Sequence, residues 1–214
     1  IPASLRPAMT IHLRALGCSN TIGTRTSTEA RNVPSHLARK LEEVTGDSVQ
    51  LRNPAVNGYT TVDLIEVELP EIERFRPDLV TILIGANDVV QGFEEAAYRS
   101  RISRIYDRIK TLDLPPGRVV VLSIPDFSVV PAAPNFGKPA EIRARIDAFN
   151  RVAREEATRR GFDVVDLSEL SRSGATRPGW VCQDGLHPGD AQYEAWSQFI
   201  WQQVANRWTV QATG

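Results

Sequence analysis

Cysteine, histidine and methionine are all scarce in this chain, at two, three and one among 214 residues. Two cysteines build neither a disulfide framework nor a thiolate metal site. The three histidines, His12, His36 and His187, include no pair at His-x-x-x-His spacing. A dedicated zinc centre is not expected, and neither is any other cofactor. Charge of one sign is also missing: 25 basic residues stand against 26 acidic ones. Without a basic excess there is no electrostatic footprint for a polyanion, so no nucleic-acid partner is expected. No stretch nears the ~20 apolar residues of a transmembrane helix. Absent too are the Gly-x-x-x-x-Gly-Lys phosphate loop, a Gly-x-Gly-x-x-Gly after the first strand, and the Gly-x-Ser-x-Gly elbow. What remains, 42 % hydrophobic and 24 % charged, is the composition of one ordinary globular domain. Residues 1–8 (Ile1-Pro2-Ala3-Ser4-Leu5-Arg6-Pro7-Ala8) carry no apolar run of signal-peptide length. They read as an N-terminal extension, with residues 9–214 as a single domain.

Within that domain two periodicities alternate. Residues 11–17 read as a strand closing on Gly17. Leu37, Leu41 and Val44 recur at helical spacing up to Gly46. Residues 49–51 form a weak second strand. Residues 60–74 read as a helix with Val62, Ile65, Leu69 and Ile72 as its apolar positions, disturbed near Pro70. Leu79–Ile84 and Val119–Leu122 are near-continuous β-forming runs, the signature of strands covered on both faces. Helices are expected at 94–111, at 140–160 and from Asp190 to Trp208. Val164-Val165 marks the last strand, and 125–138 and 171–188 read as loops. Five alternations of strand and helix define an α/β fold: a five-stranded parallel sheet between two helical layers. The aromatic residues Trp196, Phe199 and Trp201 of the last helix are expected to pack in its core.

Ligands bind such sheets beyond the carboxyl ends of the strands. There the sequence places Gly17 to Thr21, Asn57-Gly58, Asn87-Asp88 and Asp126, and the loop ending at His187 can reach the same rim. In Asp184-Gly185-Leu186-His187-Pro188 a carboxylate and an imidazole stand three residues apart across a tight turn. The carboxylate can hold Nδ1–H and leave Nε2 as a base. Ser19 offers a hydroxyl just past the first strand. Gly58 and Ser19 offer backbone N–H groups, and Asn87 a side-chain amide, to a developing oxyanion. Taken singly, each residue has an ordinary reading: a loop histidine, a helix cap, an Asx turn. The set is what points to acyl transfer.

Four segments resemble the sequence blocks of the SGNH hydrolases, the GDSL-type esterases and lipases. They are Gly17-Cys18-Ser19-Asn20-Thr21, Gly58 within Ala55–Thr61, Gly85-Ala86-Asn87-Asp88, and Asp184 to His187 followed by Pro188. The resemblance runs from about residue 11 to 205 in the family's order. It implies a flavodoxin-like three-layer α/β/α sandwich. It also implies Ser19 as nucleophile, His187 as base oriented by Asp184, and an oxyanion hole of Ser19 N–H, Gly58 N–H and Asn87. The implied activity is hydrolysis of small-molecule or lipid esters of short or medium acyl chains through an acyl-enzyme, with no cofactor. Carbohydrate O-deacetylase, thioesterase and lysophospholipase activities on the same fold stay open, as does a binding protein without catalysis.

One position departs from the family pattern: Cys18 stands where an aspartate is usual. If Ser19 and His187 meet, Cys18 and Cys182 should be neighbours, and a disulfide between them is one expectation, two separate buried thiols the other. A disulfide would suit a secreted or periplasmic protein, and free thiols a cytoplasmic one. A third reading makes Cys18 itself the nucleophile. Phe127, Val129, Val130 and Phe136 of the 125–138 loop are candidates for a pocket wall, and Trp180 for the entrance. Packing against the sheet is an equally good use of Phe127 and Val129.

Overall fold

The computed structural model describes residues 8–210. The extension expected at 1–8 therefore lies outside the described residues except for Ala8. Five strands form one sheet: β1 (Thr10–Gly17), β2 (Ser48–Arg52), β3 (Leu79–Leu83), β4 (Val119–Leu122) and β5 (Asp163–Val165). Their order is β2-β1-β3-β4-β5 and every pairing is parallel. The flavodoxin-like three-layer sandwich expected from the sequence is what forms.

The helices are α1 (Ser19–Ile22), α2 (Val33–Thr45), α3 (Thr61–Asp63), α4 (Ile72–Phe75), α5 (Ala86–Val90), α6 (Glu95–Lys110), α7 (Pro139–Arg159), α8 (Ser168–Ser173) and α9 (Asp190–Thr209). Strand alternation sorts the core into two layers. Val80, Ile82, Val119 and Val121 pack with Ile102 and Ile105 of α6 and Ile146 and Phe149 of α7. Leu79, Leu83, Val120 and Leu122 pack with Leu37 and Leu41 of α2 and Trp196 and Ile200 of α9. Trp196 is core, and Phe199 and Trp201 are half-buried against it, as the sequence suggested. No helix of the described residues is long and apolar enough to cross a membrane.

Two local features have physical causes. Residues Glu29–Arg31 make a 3-10 turn ahead of α2. The helix starts after Asn32, whose side chain accepts the Ser35 N–H at 2.8 Å, with Pro34 in the first turn. Between α3 and α4, the helix runs through a π turn (Leu64–Glu68) and a 3-10 turn (Leu69–Glu71) at Pro70. A π turn adds a residue to one turn and rotates the rest of the helix about its axis. Leu64, Glu68, Leu69 and Ile72 are the buried positions of this stretch, and Val67 faces solvent.

The order of strands reverses between β1 and β3, which opens a crevice beyond their carboxyl ends. Ser19 follows β1 directly, and Asn87 follows β3 by way of Gly85 and Ala86.

Candidate active site

The first strand must turn sharply after Gly17. A Cβ there would lie 2.1 Å from Thr21 Oγ1 and 2.3 Å from the Leu83 carbonyl oxygen, and φ is +155°. Only glycine fits. The chain then enters α1, where Cys18 O accepts the N–H groups of Thr21 and Ile22 at 2.9 and 3.0 Å. Ser19 is 6 % exposed. Cys18, not Ser19, holds the cap position of α1, so Ser19 is not the helix cap that would explain it in ordinary terms. As the first residue of a helix, Ser19 keeps an N–H with no intrahelical partner, and it has none among the described hydrogen bonds.

Gly58 sits at φ +88° facing open space. Its N–H also lacks a partner among the described hydrogen bonds. Asn87 donates one amide hydrogen to Tyr59 O at 2.8 Å, which leaves the other available. Asp88, fully buried, accepts the Thr61 N–H at 3.0 Å and the Thr61 hydroxyl. Burial pushes its carboxyl above the usual range, against those two bonds and the nearby Arg101. Asn87 and Asp88 thus fasten the Gly58 loop to the end of β3. The fastening by Asp88 was not read from the sequence. An Asn-Asp pair at a strand end says nothing of which loop it will hold.

The last loop is a small hairpin. Val181 bridges Pro188, and Cys182 N–H donates to His187 O at 2.8 Å. Asp184 Oδ1 accepts the N–H groups of Leu186 and His187 at 2.9 and 3.0 Å. Its Oδ2 lies 2.7 Å from His187 Nδ1. Burial would raise the Asp184 carboxyl, but the bonds from Leu186 and His187 outweigh it and hold it below the usual carboxylate range. With Nδ1 engaged, Nε2 is the nitrogen free to take a proton. Arg25 Nε also approaches Asp184 Oδ2, at 3.6 Å.

Contacts across the chain bring the two ends together. Ser27 N–H and hydroxyl donate to Asp190 at 3.0 and 2.6 Å, and Tyr193 OH to Ser19 O at 3.5 Å. Segment 19–27 thereby lies along 182–193. No hydrogen bond joins the Ser19 hydroxyl to the His187 ring among the described residues. Such bonds often tighten only with substrate bound.

The disulfide expectation is not met: Cys18 and Cys182 are both free. The Cys18 thiol turns into the core, 4.0 Å from Leu83 O. The Cys182 thiol turns to its own hairpin, 3.0 Å from Pro188 O. Burial also pushes the Cys18 thiol up to about 11, which removes it as a nucleophile. On thiol titration, the half-buried Cys182 should react in the native protein and Cys18 only after denaturation, with no gain on adding reductant. Two thiols that appear only with reductant would restore the bond.

Trp180 also departs from expectation. It is 2 % exposed, its indole N–H donates to Ser171 O at 3.1 Å, and its ring covers Gly174. It packs under the hairpin and lines no entrance. Phe127 is half-buried, edge-on to Phe136 at 6.4 Å, while Val129 and Phe136 remain 39 % and 37 % exposed. Their loop is tied to the hairpin through Ala132 N–H and Gly185 O at 2.9 Å. His12 and His36 lie in β1 and α2. No group of three or more His, Cys, Asp or Glu suited to a metal occurs among the described residues.

A serine and a histidine–carboxylate pair, with spare N–H donors at the switch point of a parallel sheet, make the outfit of a serine hydrolase acting on carboxylic esters. The chain belongs to the GDSL-like lipase/acylhydrolase family, whose model matches residues 15–195. It is 29 % identical over 193 residues to an arylesterase of Vibrio mimicus, across 90 % of this chain and 87 % of that one. Its fold is similar to a lipase/acylhydrolase from Enterococcus faecalis (TM-score 0.74, 20 % identity, 92 % of this chain and 96 % of that one). It is equally similar to an acetylxylan esterase from Geobacillus stearothermophilus (TM-score 0.74, 18 % identity, 96 % and 98 %).

Proposed function

We propose that this hydrolase cleaves small esters through an acyl-enzyme on Ser19. His187 takes the Ser19 proton as the hydroxyl attacks the ester carbonyl. Asp184 holds the imidazole in the tautomer this needs. The tetrahedral oxyanion is received by Ser19 N–H, Gly58 N–H and the Asn87 amide. His187 then protonates the leaving alcohol, and water repeats the sequence on the acyl-enzyme. The observation that carries the reading is the 2.7 Å contact of Asp184 with His187 Nδ1. It spends one ring nitrogen and leaves the other for the hydroxyl.

A short acyl group is the better fit. The loop bearing Phe127, Val129 and Phe136 is pinned to the hairpin at Gly185 and offers a brief apolar wall. The name of the arylesterase relative supports an aryl ester as the substrate to try first. The test is a panel of phenyl and p-nitrophenyl esters of rising acyl length, beside acetylated xylan and an acyl-CoA, with fluorophosphonate labelling in parallel. The expected kcat/KM is highest for acetate or butyrate and falls with chain length. A folded protein that takes no fluorophosphonate label would overturn the reading in favour of a binding role. A clear preference for acetylated xylan or acyl-CoA would reassign the substrate.

A further inference from the structure

Glu68 is a buried, chemically capable side chain that the mechanism above leaves unused. It ends the π turn Leu64–Glu68, is 0 % exposed, and its Oε2 accepts the Gly17 N–H at 3.1 Å, two residues before Ser19. The need for that acceptor arises from the sheet. β2 pairs with β1 only as far as Arg14 opposite Arg52. The last three residues of β1 have no strand on that edge, and a buried N–H must find an acceptor elsewhere. On the other edge β3 stays in register to Gly17 opposite Leu83. The turn that presents Ser19 is therefore held by a strand on one side and by a single carboxyl on the other.

We propose that Glu68 is a positioning residue for Ser19, its carboxyl fixing the Gly17 N–H and with it the turn that aims the serine hydroxyl and N–H. This rests on Ser19 as the nucleophile. The surroundings decide which form of the carboxyl does the work. From β1, the Arg14 guanidinium donates to the main-chain oxygen of Glu68 at 3.3 Å, and its Nε has no partner. Glu68 Oε1 is likewise without one. Asp63 acts on Glu68 from the helix side, Glu71 and Arg52 act on Arg14, and Cys18 lies within reach of the Glu68 charge. Burial pushes the carboxyl up to about 8, and the Gly17 N–H and Arg14 oppose it too weakly. At neutral pH the group is mostly uncharged and accepts through its carbonyl oxygen. At higher pH a buried negative charge appears behind the turn where an oxyanion must form, and the rate falls.

The test compares wild type, Glu68→Gln and Glu68→Leu on p-nitrophenyl acetate from about pH 6 to about pH 10. Glu68→Leu should lose kcat by roughly tenfold or more with KM little changed, because orientation and not binding is affected. Glu68→Gln should restore most of that rate and abolish a wild-type decline centred near pH 8. A Glu68→Leu enzyme with wild-type kcat, or a Glu68→Gln enzyme that keeps the alkaline decline, would overturn the proposal. If Glu68→Leu does not fold, the pH profile of Glu68→Gln still decides. Thermal unfolding gives a second reading. A carboxyl raised from 4.5 to about 8 on folding contributes stability that is complete below its unfolded value and lost as pH climbs through about 8. The wild-type Tm should fall across that window more than that of Glu68→Gln. An inactive wild type, or activity unaffected by loss of the Ser19 hydroxyl, would sink the nucleophile assignment and is distinguishable from any Glu68 result.

Discussion

Ser19→Ala is expected to lower kcat on p-nitrophenyl acetate by roughly 10⁴- to 10⁶-fold and to end fluorophosphonate labelling, with Tm nearly unchanged. The size of the loss reflects the lack of a substitute. Cys18 adjoins the serine, but its thiol is buried in the core and pushed up to about 11, so almost no thiolate exists at neutral pH. Water can still use the spare donors at Ser19, Gly58 and Asn87, which sets a small residual rate. The constancy of Tm reflects how little the hydroxyl holds in place. Cys18, not Ser19, holds the cap position of α1, the hydroxyl's described bond is to the neighbouring Cys18 thiol alone, and removing one oxygen from a small side chain leaves no large cavity. A variant that kept more than about a hundredth of the wild-type rate would place the nucleophile elsewhere. A large drop in Tm would turn the loss of activity into a matter of folding.

The fold was legible because its signals are local and repeated. Runs such as Leu79–Leu83 and Val119–Leu122 are apolar at nearly every position, and only a strand covered on both faces is built that way. The contact of Asp184 with His187 was legible for a similar reason, since the two meet within a single turn; the hairpin around them read only as a loop. What stayed hidden depends on geometry that residue spacing does not encode. Nothing in the spacing of residues 60–74 shows that the Glu68 carboxyl reaches the Gly17 N–H, two residues before the nucleophile. The expected meeting of Ser19 with His187 suggested neighbouring thiols at Cys18 and Cys182. Side chains of residues next to a turn point where the turn sends them, and these two diverge, one to Leu83 and the other to Pro188. Trp180 next to the histidine loop looked like an entrance, but a ring that size gains more by covering Gly174 than by facing water.

Asp184→Asn is the second large effect, an expected fall in kcat of about 10³- to 10⁴-fold with KM within a few-fold. Asparagine keeps an oxygen for the Leu186 and His187 N–H groups, so the hairpin should persist. What it then turns toward Nδ1 is an amide N–H, which forces the ring proton onto Nε2 and leaves no base for the serine. The wild-type carboxylate, held below the usual range by its three bonds, stays ionised throughout the neutral region, so its own titration does not limit the rate there. The sign of its stability effect is the reverse of that at Glu68. A carboxyl lowered on folding stabilises above its unfolded value, and that stability is lost as pH falls through the folded one. Asp184→Asn should therefore flatten acid unfolding as well as stop turnover. Arg25 supplies the rival account, because its Nε stands 3.6 Å from the same Oδ2 and the carboxylate could serve only to hold that loop. The arginine side chain is two-thirds exposed, and an ion pair so well solvated is weak. Arg25→Gln should then change kcat by less than about threefold. A loss matching that of Asp184→Asn would make Asp184 a loop anchor and remove its claim to the imidazole.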